Sequence, residues 1–348
     1  MGFHYIGSHP SGNYPNFVVI APSTGMTPTF PESTSIGIAL DPRVVPYLPC
    51  CSYSTFVSFA VNGQSTNGAA VSVTLDLNSP PPVIQSVVNA ATLQPVISPG
   101  EIVSIFGSHL GTAPVTAHYD EAGLYPTDLS HQVVPYPPNY SGPREGVTFN
   151  GVPAPLLYYS SNQINAIVPY EVAGQASVNI VVTHYGQTVP FPVPVKDTAP
   201  GIFTASQNGT GQGAILNADG TLNSASNPAP KGSAITLFAT GAGVLQQQTI
   251  PDGSVLFGGG ATCSSATVST SCKPTAPNGA YFPAAPVSVT IGGQPAPLLY
   301  VGPSPGSAAA LLQINALVPN GIGSGSQPVV LMIGQNNNAQ QQVTIVVQ

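Results

Sequence analysis

Three of the six histidines of this chain, His109, His118 and His131, fall within a 23-residue stretch that also holds Asp120, Glu121 and Asp128. Neutral imidazole and carboxylate together suit zinc or manganese, and the same groups can pass protons. His109, His118, Asp120 and His131 are therefore the metal-ligand candidates. No HExxH or HxH spacing organises them, and polar residues collect in exposed loops for reasons of solvation alone. The stretch is expected to be a solvated loop before it is a metal centre. Nucleophilic catalysis has less to build on: there is no GxSxG turn, and no histidine follows His184. A glycosidase would need two carboxylates facing each other across a cleft, and twelve scattered acids define no such pair. No catalytic residue is assigned and no cofactor is implied.

Tyrosine offers a different chemistry. Tyr119, Tyr125, Tyr136 and Tyr140 lie in or beside the Pro-rich run VVPYPPNYSGP, where polyproline geometry can present rings to a sugar or a protein at low entropic cost. These four are the ligand-binding candidates, set against the plainer reading that tyrosines cap sandwich edges. Cysteine falls in two local pairs. Cys263 and Cys272 bracket CSSATVSTSC and are expected to close a small disulfide loop, worth about 2–3 kcal/mol in the loop-entropy picture. Cys50 and Cys51 are adjacent, which strains a direct bridge, and their pairing stays open. Neither pair has the CxxC spacing of a zinc site. The run GTGQG at 209–213 leads into another apolar strand rather than a helix, so it is read as a loop and not a phosphate cradle.

The charge balance narrows the partners. Five Lys plus Arg against twelve Asp plus Glu leave a net charge of −7, which gives nucleic acid or an anionic membrane surface nothing to hold. No apolar run is long enough for a membrane helix. Low charge with abundant Ser, Thr, Asn, Gln, Gly and Pro points to an extracellular or cell-surface protein, whereas the opening MGFHYIGSHPSG has no signal-peptide pattern. The chain is accordingly expected to be part of a longer secreted polypeptide.

The elements that must position these residues are written twice. VTFNGVPAPLLYY at 147–159 returns as VTIGGQPAPLLYV at 289–301, and QINAIVP at 163–169 returns as QINALVP at 313–319. Upstream, PGEIVSIFGSHLG from Pro99 matches KGSAITLFATGAG from Lys231. The offset grows from 132 (231 − 99) to 142 (289 − 147) and then 150 (313 − 163), so the second copy carries insertions of ten and eight residues. Asn150-Gly151 predicts a tight hairpin turn, with PLLYY as the returning strand. In QINAIVP the alternation puts Ile164, Ala166 and Val168 on one face and Gln163, Asn165 and Ile167 on the other. Asn165, Asn315, Gln163 and Gln313 are expected to bond to backbone, and Tyr158 and Tyr300 to pack at the core edge. The fold class is all-β, as tandem immunoglobulin-like β-sandwiches. The boundaries are 1–80, with few strands of its own, 83–197 with the long loop, and 199–348 with the Cys-bracketed insertion.

Beyond the repeat itself, VVNAATLQPVISPGEIVSIFGSHLG, GVPAPLLYYSSNQINAIVPYEVAGQ, TAPGIFT and GQGAILNADGTLNSASNPAPKGSAITLFATGAG occur in co-linear order with QINALVPNGI. In these phrases the chain resembles, from Val83 to Gln348, the uncharacterised paralogous C-terminal domain of large secreted soil-bacterial proteins. That family is similar in turn to tandem IPT/TIG immunoglobulin-like domains. The resemblance implies extracellular β-sandwiches with an accessory role and brings no catalytic residues. The expected function is a non-catalytic structural or adhesive module whose partners are other extracellular domains or copies of itself, joined by β-strand addition at an open edge. The alternatives are polysaccharide binding through the tyrosine loop and a secreted hydrolase with its site in 109–145.

Overall fold

The computed structural model describes residues 2–8, 18–21, 24–26, 37–41, 51–61, 64–77, 80–111, 114–128, 145–184, 187–246, 250–257, 259–266, 273–274 and 281–348. Every extended element is a β-strand and nearly all pairings are antiparallel; among the described residues only short 3₁₀ turns, such as Tyr170–Val172 and Ala339–Gln341, break the pattern. The protein is all-β. Contacts divide the chain into two compact units, one built on Met1–Pro80 and one on Pro81–Leu129 with Arg144–Gln348.

In the first unit a four-stranded sheet runs in the order Thr24–Met26, Gly2–Ser8, Cys51–Val61, Gln64–Leu77. Val18–Ala21 and Gly37–Leu40 form a separate antiparallel ribbon. Gly2–Ser8 and Thr24–Met26 are strands that the sequence pattern did not announce. The 14-residue Gln64–Leu77 strand, with its clean VSVTLDL alternation, is an edge of its sheet.

The second unit contains the duplication as two pairs of sheets. In the first copy, Val83–Asn89, Ile102–Ser108, Gln163–Ile167, Leu156–Tyr159 and Val115–Thr116 form one sheet. Val152–Pro153, Gly146–Phe149, Ser177–His184 and Gln187–Pro194 form the other. The second copy repeats the order. Gly201–Ile202, Ala234–Thr240, Leu312–Leu317, Leu298–Pro303 and Ala261–Ala266 lie in one sheet, and Gln294–Ala296, Val287–Ile291, Gly325–Ile333 and Val343–Val347 in the other. Even the minor bridges correspond: Ile97 runs parallel to Val195, and Ala229, 132 residues on (229 − 97), runs parallel to Val347.

Local sequence explains most of this. Asn150 and Gly151 both have positive φ (48° and 87°), as a two-residue turn with the twist of a hairpin requires, and Phe149 pairs with Val152 across it. Asn150 tolerates that conformation because its side chain is held: Oδ1 accepts the Asn179 N–H at 2.8 Å. In the second copy Gly292 and Gly293 do the same with no side chain. The returning strand is shorter than the expected PLLYY. Only Val152–Pro153 pairs back, and Leu156–Tyr159 crosses to the other sheet, where it pairs with Gln163–Ile167. Ala154 N–H still donates to Val147 O at 2.8 Å, which turns the nitrogens of Pro153 and Pro155 away from the hairpin partner. The pairing ends at Leu156, whose N–H donates to Pro126 O instead, while Pro155 O accepts the Ile167 N–H of the other sheet.

The alternation in QINAIVP sorts as its spacing predicts. Ile164, Ala166 and Val168 are fully buried between the sheets, as are Ile314, Ala316 and Val318 in the second copy. Each of the Ile and Val side chains removed from water contributes on the order of 1.5–3 kcal/mol, and each alanine methyl about 0.8 kcal/mol. Ile167, on the opposite face, is buried too. It packs with Ala308 and Ala310 of the second copy, flanked by Ile102, Tyr125 and Leu157.

Candidate functional site

The histidine-rich stretch does not converge. His109 is exposed at positive φ, and His118, Asp120 and Glu121 are exposed. Asp120 spends its Oδ1 on the Leu124 N–H at 2.9 Å, the local turn bond that Asp favours. His131 lies outside the described residues. Among the described residues no group of three or more His, Cys, Asp or Glu could hold a metal ion. Of the four tyrosine candidates, Tyr136 and Tyr140 also lie outside the described residues. Tyr119 and Tyr125 meet edge to face, with ring centroids 5.9 Å apart. Tyr119 is 45% exposed, but Tyr125 is half-buried against the Ile167 cluster, and burial pushes its hydroxyl pKa up.

The described end of that loop is stapled down. Tyr125 N–H donates to Gly253 O at 3.1 Å, Val255 N–H donates to Gly123 O at 2.7 Å, and Leu124 bridges Ser254. The loop of the first copy is thereby paired with a loop of the second. Cys263 is buried and disulfide-bonded, while Cys272, Cys50 and the side chain of Cys51 lie outside what is described.

The copied amides behave differently from expectation. Asn165 does not turn to the backbone; its Oδ1 accepts from Gln163 Nε2 at 2.9 Å and from Ser104 Oγ at 3.1 Å. Asn315 repeats the arrangement with Gln313 at 3.1 Å and Thr236 at 3.0 Å. Adjacent residues on one strand face and their cross-strand neighbour satisfy one another, which leaves the backbone to the ladder. The bulge beside them is real in both copies, at Leu156/Tyr158 and Leu298/Tyr300. Tyr158 is half-buried; Tyr300 is half-buried with its hydroxyl donating to Pro303 O at 2.8 Å, and burial raises its pKa.

What the sequence reading missed is where the two copies meet. Asn89 Nδ2 donates to Ala199 O at 2.9 Å and to Glu101 Oε2 at 3.2 Å, while its Oδ1 caps the N–H groups of Ala91 and Thr92. Ser98 Oγ reaches the same Glu101 oxygen at 2.8 Å. Glu101 is fully buried with no partner for Oε1 among the described residues, and desolvation holds its carboxyl well above the usual range despite those donors. Thr240 accepts the Ile102 N–H at 2.8 Å and donates to Ala310 O at 3.0 Å. Gln341 donates to Ala91 O at 2.8 Å and to Ile202 O, and accepts the Ile202 N–H at 3.0 Å. Asp252 accepts the Tyr170 N–H at 3.0 Å, and burial, with Glu171 nearby, raises its pKa to about 6.

Beside this junction opens a cleft of about 240 Å³. Thr92, Gln94, Val96 and Lys196 come from the first copy, Thr198–Pro200 from the connector, and Asn336, Asn337, Asn338, Gln340 and Gln341 from the second. A second buried polar group lies inside the first copy: His184 Nδ1 is 3.1 Å from Glu145 Oε1 and 3.4 Å from the Tyr159 hydroxyl.

Comparison with known proteins adds little. No protein-family model and no curated protein matches the chain. Among solved structures, an endo-fucoidan hydrolase from glycoside hydrolase family 107 is similar at 15% identity, over 99% of this chain and 38% of its own length, with a TM-score of 0.17. A score that low carries no argument about fold or activity.

Proposed function

We propose that this chain is a non-catalytic, extracellular structural module in which two immunoglobulin-like sandwiches act as one rigid spacer. The sandwich identity is supported by strand order. In each copy the first, second, fifth and fourth core strands form one sheet and the third, sixth and seventh the other, the Greek-key order of that architecture. The observation that carries the functional reading is the junction itself. Buried polar side chains from each copy, Asn89, Thr240 and Gln341, bond to backbone of the other or to the strand beside it, around the apolar contact of Ile167 with Ala308 and Ala310. A hinge that opened would exchange each of these hydrogen bonds for one to water, at about 0.5–1.5 kcal/mol apiece, and would expose the apolar contact as well. Chemistry is invested in fixing an angle.

Assembly with other extracellular domains or with further copies uses the first unit in this reading, through the Gln64–Leu77 edge strand. The test is calorimetry on the residue 81–348 fragment and the whole chain. One cooperative transition for both copies supports the spacer; two transitions at separate temperatures within the 81–348 fragment, or turnover of esters or polysaccharides by the purified chain, would overturn it.

A further inference from the structure

The cleft at the junction has an unusual lining: six amide side chains, one ammonium and no carboxylate. Its floor is already committed. Asn338 Oδ1 accepts the Leu331 N–H at 2.7 Å and its Nδ2 donates to Gln341 Oε1, so these buried groups set the shape and are not offered to a ligand. The wall is half committed. Asn336 Nδ2 donates to the Thr198 hydroxyl at 3.0 Å, which leaves Oδ1 as an acceptor; Asn337 Oδ1 accepts the Ala339 N–H at 3.0 Å, which leaves both Nδ2 protons. An amide anchored at one end presents the other in a fixed direction, at little further entropic cost. Gln94, Gln340 and Lys196 stand exposed at the rim.

We propose that this cleft binds one ring of a hydroxyl-rich saccharide, with Lys196 favouring a ring that carries a single carboxylate. Hydroxyls both donate and accept, and so match a surface that alternates fixed acceptors with fixed donors. The cavity holds roughly eight waters at ~30 Å³ each, about the space of one pyranose with its substituents. Recognition here runs through hydrogen bonds, since no aromatic ring lines the cleft. It is separate from the tyrosine loop and goes beyond the spacer role.

The test is an amide NMR titration of the whole chain with glucuronate, glucose and sodium sulfate. Glucuronate is expected to shift Gln94, Lys196 and Asn336–Gln341 saturably, with a Kd of roughly millimolar for a ligand this small. Glucose should bind at the same residues about two- to fivefold more weakly, the worth of an exposed ion pair. Lys196→Met should erase that difference, and Gln340→Ala should weaken both sugars about two- to tenfold; both side chains are exposed, so folding is preserved. Absence of saturable shifts, equal shifts with sulfate alone (an adventitious ion only), or shifts centred on Tyr119 and Tyr125 would each overturn the proposal.

Discussion

The two copies protect the same exposed edge by opposite means. In the first, Gln187–Pro194 borders its sheet, and Val195 N–H donating to Ala176 O shows that the odd-numbered residues face the neighbouring strand. The even-numbered ones face outward, and three of them are Pro190, Pro192 and Pro194, which have no N–H to offer an incoming strand. In the second copy, Val343–Val347 carries no proline and is covered instead. Gly211 and Gly213 donate to the carbonyls of Gln342 and Thr344, Ala229 N–H donates to Val346 O, and the Asn223 side chain pairs with both Val346 N–H (2.8 Å) and Val346 O (2.9 Å). Proline removes the donors from the chain; cover satisfies them. An edge strand must be managed one way or the other, and duplication let each copy keep its own solution.

The sharpest way to break that contrast is Asn223→Ala. Asn223 is fully buried and also binds Asn217 at 3.0 Å, so its loss leaves several groups unpaired; urea unfolding should show a loss of about 2–4 kcal/mol, with new self-association from the uncovered edge. Unchanged stability would mean that the cover is ornamental. Thr240→Val should cost about 1–3 kcal/mol by orphaning the Ile102 N–H, and should split one unfolding transition into two if the junction is what couples the copies.

Glu101→Gln probes a site that only the first copy has, since Ser233 stands at the corresponding position of the second. Glu101 holds its proton above the ordinary 4.5, so the native state binds more protons than the unfolded chain and stability falls as pH rises above that value. The Gln variant should therefore raise Tm by roughly 3–6 °C at pH 8, with little change at pH 4. Asp252→Asn should act in the same direction but less, because the group is partly exposed: wild-type stability declines from about pH 4 to about pH 6 and the variant's does not, as thermal melts across that window would show. The smallest effect on stability belongs to Pro190→Thr with Pro192→Thr, within about 1 kcal/mol, yet sedimentation should reveal concentration-dependent association as outward donors return. A double variant that stays monomeric would remove the protective role given to these prolines.

How far the fold could be read in advance depends on whether a residue's neighbours lie near it in sequence. Asn150-Gly151 was legible because a two-residue turn is decided by the φ its own residues tolerate, and Ile164, Ala166 and Val168 because a strand alternates whatever its partner. The parity of Pro190, Pro192 and Pro194 is equally legible in QTVPFPVP, since alternation alone puts the three on one side of the strand. Ile167 was not: its alternation assigns it to the outer face, and residues brought there by the fold, Ala308 and Ala310 of the second copy among them, bury it. The same holds for Gln341 reaching Ala91 across 250 positions of sequence. It holds also for the cleft, whose walls come from three separated segments.

The order of the letters alone therefore determined that this protein is all-β, that its second unit is a duplication, and where its turns fall, because short-range sterics and period-two alternation act within a few residues. The packing of copy against copy, the burial of Glu101 and Ile167, and the gathering of amides around an open cleft were decided by tertiary structure, because each depends on which distant surfaces exclude water from one another.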